Sequence, residues 1–356
     1  MKEPCPECGI PTYIGSQHRW LNNGDIINTG KPDERITFME FGFFDPLVRE
    51  VERVIGSSIE HIVSSTVQAA IRMYVESLLP PGVGDMIREG TLSLRNLDDG
   101  LAEIAKLNGY GIFRYYDMRF EQDEDDYYTV DLIHPYSLYV CTATHGAAME
   151  AMLGYDHEVA YEPVGDDVYR VTARPRPRPE ELKRRLAPRT YSHADGPLEL
   201  EKCATCGVPR PLAGLNWNVE EGIITSPSTG KRLSTTGPNQ IQPVLDELEK
   251  ELGEEIPRLV VDAQRRYARE GFFPDDTFRD EDAFRRELAV RGLGVLESLK
   301  PDAGGLEICL KNPCYPLILV GTVQGMYERL TGRESDVEWE VDSGGALRVV
   351  LRARGG

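Results

Sequence analysis

The apolar residues of this chain repeat with two periods, one typical of helices and one typical of strands. Between residues 47 and 78 they return every three to four positions, as on one face of an amphipathic helix. Asp45 and Pro46 supply an N-cap and a proline for the first turn, while Gly56 interrupts the pattern. The pattern therefore predicts a long helix that is broken near Gly56 and stops at Pro80.

Shorter segments rich in aromatic and β-branched residues predict strands on both sides of that helix. The turn sequence Asn-Asn-Gly-Asp at 22–25 predicts a small hairpin, and a second hairpin is expected at 159–171. Residues 142–153 predict a helix that ends at Gly154. Further strands are predicted at 35–40, 109–116 and 130–141. Helices mixed with antiparallel strands predict an α+β fold.

The same order of elements occurs twice along the chain. Trp20, Pro46 and Gly56 are matched by the same residue types 197 positions later, and from Val130 onward the spacing is 178 positions without a gap. Chance does not hold one register for so long, so the sequence predicts two tandem repeats that form an intramolecular pseudo-dimer. The predicted segments are repeat 1 at 1–175 (zinc knuckle 1–40, ligand-binding domain 41–175), a Pro/Arg-rich linker at 176–198, and repeat 2 at 199–356 (knuckle 199–235, ligand-binding domain 236–356).

Composition narrows the classes of function. The 356 residues include 40 lysines and arginines against 59 aspartates and glutamates, a formal net charge of -19. A chain this acidic lacks the clustered cations that coat nucleic acid, so we expect no nucleic-acid partner. No apolar run approaches the roughly 20 residues that span a bilayer, and the N-terminus lacks the apolar segment of a secretory signal. We therefore expect a soluble cytoplasmic protein whose cysteines stay reduced or bind metal.

Four of the seven cysteines lie in two matched turns. Cys5-x-x-Cys8 and Cys203-x-x-Cys206 are each followed by glycine, one further residue and proline. Two thiolates at this spacing can supply two of the four ligands of a tetrahedral zinc ion, so each turn is half a site. We predict one zinc site shared by all four cysteines, with each knuckle opening a zinc-ribbon-like hairpin.

Three other interpretations of the two turns remain open. Each turn could hold its own ion, with His18 completing the first site, although the matching segment of the second repeat has no histidine. The cysteines could also be exposed turn residues without metal. A thioredoxin-like redox pair would place them at the start of a helix, which the following Gly-x-Pro disfavours.

A second candidate site lies in the first repeat, where apolar residues surround a few polar groups, as in small-molecule sites. Its predicted lining is Phe113, Tyr115, His134, Tyr139, Cys141, His145 and Met149. The second repeat carries Asn312, Leu319 and Val323 in place of His134, Cys141 and His145. We therefore expect at most one copy to keep a polar pocket, although any single residue of this set could instead belong to the core or to a turn.

Glycine spacing in the latter part of each repeat carries a resemblance to a known family. The residues are Gly109, Gly111, Thr144, Gly146, Glu150 and Gly154, with Gly292, Gly294, Gly321, Gly325, Glu328 and Gly332 in the second copy. This pattern resembles the 4-vinyl reductase domain family, which is related in fold to phenol-responsive sensor domains and to core subunits of vesicle-tethering complexes. The resemblance implies an α+β domain, usually dimeric, with an apolar pocket for a small organic or lipid-like ligand. Sensor members carry a cysteine-rich segment near the end of the domain, and this chain lacks it.

These observations favour a non-catalytic protein that binds a small hydrophobic or aromatic ligand, or a partner protein, and uses zinc for structure. No nucleophile elbow, phosphate loop, dinucleotide fingerprint or zinc-protease motif occurs in the sequence. The alternative is an enzyme or reductase-like accessory factor in tetrapyrrole or aromatic-compound metabolism, with His134, Cys141 or His145 in the chemistry. A homodimer is the other assembly that the sequence leaves open beside the internal pseudo-dimer.

Overall fold

The fold was analysed in a computed structural model of the chain. It describes residues 2–179, 190, 191, 193, 195–253, 255–274, 277–301 and 304–354. The segment before the predicted linker is called the first half below, and the segment from residue 199 onward the second half. Within the described residues, no helix combines the length and the apolar character that crossing a membrane requires.

Ten α-helices are found in the described residues, together with two short 3₁₀ helices at Arg210–Gly214 and Thr277–Arg279. The α-helices are α1 (Thr12–Gln17), α2 (Phe44–Ile55), α3 (Glu60–Leu78), α4 (Val83–Arg88), α5 (Leu94–Leu107), α6 (Leu138–Leu153), α7 (Pro238–Leu252), α8 (Glu255–Arg269), α9 (Glu281–Val290) and α10 (Pro316–Thr331). The predicted break of the long helix is confirmed, because α2 ends at Gly56 in the left-handed conformation and α3 follows.

Fourteen strands in the described residues form three antiparallel sheets. They are β1 (His18–Trp20), β2 (Ile26–Asn28), β3 (Arg35–Glu40), β4 (Ile112–Arg119), β5 (Tyr127–Ile133), β6 (His157–Gly165), β7 (Val168–Pro175), β8 (Asn216–Asn218), β9 (Ile223–Thr225), β10 (Arg232–Thr236), β11 (Val295–Pro301), β12 (Gly305–Lys311), β13 (Ser335–Val341) and β14 (Leu347–Ala353). The first half builds the sheet β4-β5-β7-β6 and the second half builds β11-β12-β14-β13, with the same connectivity. The fold is therefore mixed α+β.

The third sheet joins the two halves. Its order is β1-β2-β3-β10-β9-β8, so the central pair is β3 of the first half and β10 of the second. In that antiparallel pair Phe38 lies opposite Thr235, the residue 197 positions later, at the spacing that relates the two repeats. Each half forms the predicted hairpin, β1-β2 and β8-β9, but the two hairpins are the edges of one continuous sheet rather than separate zinc-ribbon-like units.

Reciprocal arginines reinforce this junction. Arg35 Nη2 donates to the carbonyl oxygens of Gly292 (3.1 Å) and Asn312 (2.8 Å). Its counterpart Arg232 donates to the carbonyl oxygens of Gly109 and His134, which are the residues equivalent to Gly292 and Asn312. Each half therefore satisfies backbone acceptors of the other, and the largest hydrophobic core likewise contains residues from both halves.

Two local predictions are corrected by the packing. Asp45 was expected to cap its own helix, but α2 begins at Phe44, and the Asp45 carboxylate instead accepts bonds from the Ser137 hydroxyl and from the Leu138 N–H at the start of α6. The Gly-x-Pro after the first knuckle was expected to disfavour a helix, yet α1 begins directly after Pro11. Proline is tolerated there because the first N–H groups of a helix have no partner within the helix.

Several described residues of the predicted linker contact the first half. The N–H groups of Gly196 and Leu198 donate to Asn22, and His193 Nδ1 lies 2.6 Å from an Asp25 carboxylate oxygen. Residues 180–189 of the linker lie outside the described residues, so its predicted extended conformation is not tested there.

Candidate functional site

The four predicted metal ligands come together at the junction of the two halves. Their Sγ atoms all lie within 4.8 Å of one another, with 3.7 Å between Cys5 and Cys203 and 3.5 Å between Cys8 and Cys206. A tetrahedral zinc ion with Zn–S bonds of about 2.3 Å separates its sulfur ligands by about 3.8 Å. The arrangement is one four-cysteine cluster rather than two knuckle sites, and this set of donors could hold a metal ion such as zinc.

The two turns have the same backbone geometry. In the first turn, Cys5 N–H donates to the Ile10 carbonyl oxygen, and Gly9 N–H donates to the Cys5 carbonyl oxygen, both at 2.8 Å. Cys203 bonds to Val208 and Gly207 in the same way, at 2.9 Å. Both glycines adopt a positive φ, near 75°, which residues with a Cβ rarely adopt. The repeated Cys-x-x-Cys-Gly sequence thus encodes a thiol-presenting turn in each half.

Local electrostatics favour a thiolate at Cys5, whereas burial raises the pKa of Cys8 in the same turn. Backbone N–H groups of Cys8 and Glu7 lower the pKa of Cys5 to about 7, whereas burial raises that of Cys206. The Glu7 carboxylate also crosses to the second turn, where it accepts bonds from the Thr205 N–H (3.0 Å) and hydroxyl (2.8 Å). The two turns are therefore linked by polar contacts as well as by their thiols.

A cavity of about 100 Å³ lies in the first half, beside the central sheet. Helices α3, α5 and α6 form most of its wall, and the β10–α7 segment of the second half closes one side. Apolar residues dominate the lining, including Ile71, Val75, Leu101, Ile104 and Phe113. A small apolar cavity with a few convergent polar groups is the usual form of a small-molecule site.

Small side chains keep this cavity open. Ala70, Ala105 and Ala148 line it, and the equivalent positions of the second half hold Tyr267, Leu288 and Met326. The Tyr267 ring packs against Phe43 and Phe272, so it fills space that Ala70 leaves free.

Polar positions show the same asymmetry between the halves. Asn108 and Gly237 line the cavity, while their equivalents, Arg291 of the second half and Glu40 of the first, form a buried ion pair. Burial by itself would raise the pKa of Glu40, and the Arg291 guanidinium opposes that rise. The region equivalent to the cavity is thus filled by bulkier side chains and an ion pair, whereas the cavity itself stays open.

A hydrogen-bonded chain links the cavity wall to the segment that follows the first knuckle. The Tyr13 hydroxyl of α1 lies 3.2 Å from that of Tyr74 and accepts a bond from Asn108 Nδ2 at 3.5 Å. The Thr235 hydroxyl donates to Asn108 Oδ1 at 2.7 Å. Because Tyr74, Asn108 and Thr235 all line the cavity, its shape depends on the junction that also carries the cysteines.

The seven predicted pocket residues do not share one location. Phe113 and His145 line the cavity. Tyr139, Cys141 and Met149 are buried core residues of α6, and the Cys141 thiol donates to the Tyr110 carbonyl oxygen at 3.3 Å. Tyr115 lies under the Arg95 guanidinium, 3.7 Å from the ring centroid. His134 lies in a surface turn, where its Nδ1 is 2.9 Å from an Asp167 carboxylate oxygen.

Sequence reasoning missed most of the lining because it searched one segment of the chain. Asp98 on α5, Tyr74 on α3 and Gln240 on α7 come from three distant segments. Comparison of equivalent positions offers a signal, since alanine in the first repeat against Tyr267 or Met326 in the second marks an unfilled position.

Comparisons with known proteins give little further guidance. No family profile matches the chain, and no curated protein matches it in sequence. Among solved structures, a Cs H-NOX mutant carrying an unnatural amino acid is similar at 12% identity and a TM-score of 0.26, over 35% of this chain and 78% of that chain. A substitution mutant of the T. tengcongensis H-NOX is similar at 14% identity and a TM-score of 0.24, over 35% and 79%. Likenesses this distant carry no functional argument.

Proposed function

We propose that this protein is a non-catalytic receptor for a small hydrophobic or aromatic molecule, which binds in the cavity of the first half. The observation that carries the proposal is the asymmetry between the halves. One copy keeps an apolar cavity lined by Ala70, Ala105 and Ala148, and the other copy carries large side chains at those positions. An unfilled cavity lowers stability, so a purely structural role would not favour keeping a cavity in only one of the two copies.

The size of the cavity suggests the scale of the ligand. Apolar cavities of about 150 Å³ stay dry and bind benzene. The present cavity, at about 100 Å³, suits a single aromatic ring with at most a small substituent once the walls adjust slightly. A tetrapyrrole needs a pocket several times larger, because drug-sized ligands occupy about 300 to 1,000 Å³.

The remaining parts of the proposal concern architecture. The four-cysteine cluster holds one structural zinc ion, and the two repeats form an intramolecular pseudo-dimer around it. The pairing of Phe38 with its equivalent Thr235 supports this view, since a twofold axis brings equivalent residues together. The domain limits 1–175 and 199–356 follow the same symmetry.

Binding is tested by filling the cavity with a side chain that the second half already uses. Ala148→Met introduces the residue of the equivalent position Met326. We expect toluene, titrated into the purified protein by calorimetry or NMR, to bind the natural chain and to lose at least about tenfold in affinity in the variant. The matched control Ala160→Met makes the same exchange at an exposed position of β6 and should leave binding unchanged. Failure of toluene to bind the natural chain would overturn the proposal.

The metal proposal is tested separately by elemental analysis of the purified protein. We expect one zinc per chain, and loss of that zinc in Cys203→Ser. Cys309→Ser is the control, because Cys309 lies in β12, outside the cluster. Two zinc ions per chain, or none, would contradict a single shared site.

A further inference from the structure

One wall of the cavity presents more hydrogen-bond acceptors than donors. Asp98 on α5 and His145 on α6 both line the cavity, and both are almost fully buried, with 5% and 2% of their surface exposed. They are close enough for the charge of each to shift the pKa of the other. Two buried polar groups of this kind need hydrogen-bond partners, because burying a polar group without one costs free energy.

The orientation of the His145 ring determines which nitrogen is free. Nε2 lies 3.0 Å from the Tyr128 carbonyl oxygen, which can only accept, so Nε2 carries the proton. Burial lowers the pKa of His145, so the ring is neutral near pH 7 and Nδ1 is a bare acceptor. Within the described part of the chain Nδ1 has no hydrogen-bond partner.

Asp98 adds a second acceptor. No lysine or arginine of the described residues lies within ion-pair distance of its carboxylate. Burial raises the pKa of Asp98, and a hydrogen bond from the Tyr128 hydroxyl opposes that rise while leaving other lone pairs of the carboxylate free to accept. The carboxyl group is therefore the main polar feature of this wall, and no basic side chain neutralises it.

The other charged groups around the cavity are already paired. Glu34 bonds to Lys31 at 3.1 Å, and Arg35 bonds to Asp25 at 2.7 Å. His18 donates from Nδ1 to the Ile14 carbonyl oxygen, and burial lowers its pKa to about 4, so it is neutral near pH 7. An anionic ligand would thus find no unpaired cation among these groups.

We propose that the ligand of this cavity is a single-ring aromatic compound bearing a primary amino group, which donates to Asp98 and to Nδ1 of His145. This inference rests on the proposed function, since it specifies the ligand class of the same cavity. An amino group has two N–H donors for two acceptors, whereas a hydroxyl group has one donor and a carboxylate has none. A mismatched ligand leaves one buried acceptor unpaired or places two negative charges together.

The test compares four ligands of one ring size on the full-length, metal-loaded protein: toluene, aniline, phenol and benzoate. We expect aniline to bind most tightly, phenol more weakly, and benzoate not at all. Asp98→Asn should weaken aniline binding by about tenfold, because the charge-assisted hydrogen bond becomes a neutral one, and leave toluene binding unchanged. Asp99→Asn is the matched control, because Asp99 lies on the same helix but outside the cavity lining, where it pairs with Arg95 at 2.9 Å.

The outcomes separate this inference from the proposed function. Toluene binding together with equal or tighter binding of phenol or benzoate than of aniline would overturn the inference and leave the receptor proposal standing. Equal weakening of toluene and aniline in Asp98→Asn would also overturn it, since the change would then act on the cavity as a whole. Absence of toluene binding alongside Asp98-dependent aniline binding would overturn the apolar receptor and support the amine site.

Discussion

At the scale of single residues, each half buries an equivalent glutamate, and the arginine that pairs with it comes from a different part of the chain. Glu150 and Glu328 are equivalent buried carboxylates, and each accepts the N–H of the residue seven positions later, at 3.0 and 2.8 Å. Glu328 is paired with Arg265 of α8 at 2.8 Å, whereas Glu150 is paired with Arg178, which follows β7 in the predicted linker. The first half therefore depends on a residue beyond its predicted limit at 175.

A buried histidine makes stability depend on pH at this scale. Burial lowers the pKa of His157 to about 4, below its ordinary value of about 6.5 in an unfolded chain. Between these values the unfolded state binds more protons, so the free energy of unfolding falls as the pH drops from 6.5 to 4. His157→Phe, which can keep the ring stacked on Tyr155, should remove on the order of 1 to 2 kcal/mol of this fall between pH 7 and pH 5.

Urea denaturation of both proteins across this pH range measures the effect. The metal site is common to both, so its own acid sensitivity cancels in the difference. Parallel curves for the natural chain and the variant would contradict the predicted contribution of His157.

At the scale of elements, close helix packing in the second half depends on two glycines. A Cβ placed on Gly321 or Gly325 of α10 would lie 2.4 Å from the carbonyl oxygen of Val261 or Arg265 in α8. The equivalent residues of α6 are Ala143 and Ala147, so the first half tolerates a methyl group there. The helix pairs are thus related by duplication but differ in how closely their backbones approach.

Gly325→Ala should destabilise the protein by about 1 to 3 kcal/mol, since overpacking forces backbone shifts. Gly100→Ala is the matched control, because Gly100 lies in α5 with no atom near its would-be Cβ. That exchange should be neutral or stabilising by up to about 1 kcal/mol through higher helix propensity. Equal effects of the two variants in urea denaturation would show that the α8–α10 contact is not the cause.

At the scale of the whole molecule, several kinds of contact join the halves beside the shared hydrophobic core. Strands β3 and β10 pair in one sheet. Arg35 and Arg232 each donate to backbone carbonyl oxygens of the other half, and the four cysteines form one cluster. Each contact needs both halves. In one half alone, these backbone carbonyl groups would lack their arginine donors, and the two thiols would form only half of the cluster.

We therefore predict that chelation of the metal destabilises both halves together. Amide hydrogen exchange read by mass spectrometry can follow β5 in the first half and β12 in the second. Both strands should lose protection in one coincident transition, at a lower urea concentration after chelation. Loss of protection in one strand while the other stays protected would contradict the coupling.

Several features of the fold could be read from the sequence because they depend on neighbouring residues. The break at Gly56 and the two Cys-x-x-Cys-Gly turns follow from local backbone preferences. Cys141 and His134 were harder to place, because aromatic and polar residues close in sequence alternate between core and surface. Their positions depend on which face of α6 or of a turn meets the rest of the molecule.

The sequence by itself determined the mixed α+β element order and the repeated register that relates Cys5 and Cys8 to Cys203 and Cys206, because both are features of the order of residues. Only the tertiary structure decided that both hairpins share one sheet and that β10 of the second half closes the cavity of the first. Those contacts join residues more than 100 positions apart, so the pattern of neighbouring residues along the chain cannot predict them. Asp98 likewise became a candidate ligand-binding residue only when α5 brought it to the same wall as His145, which the sequence had already suggested.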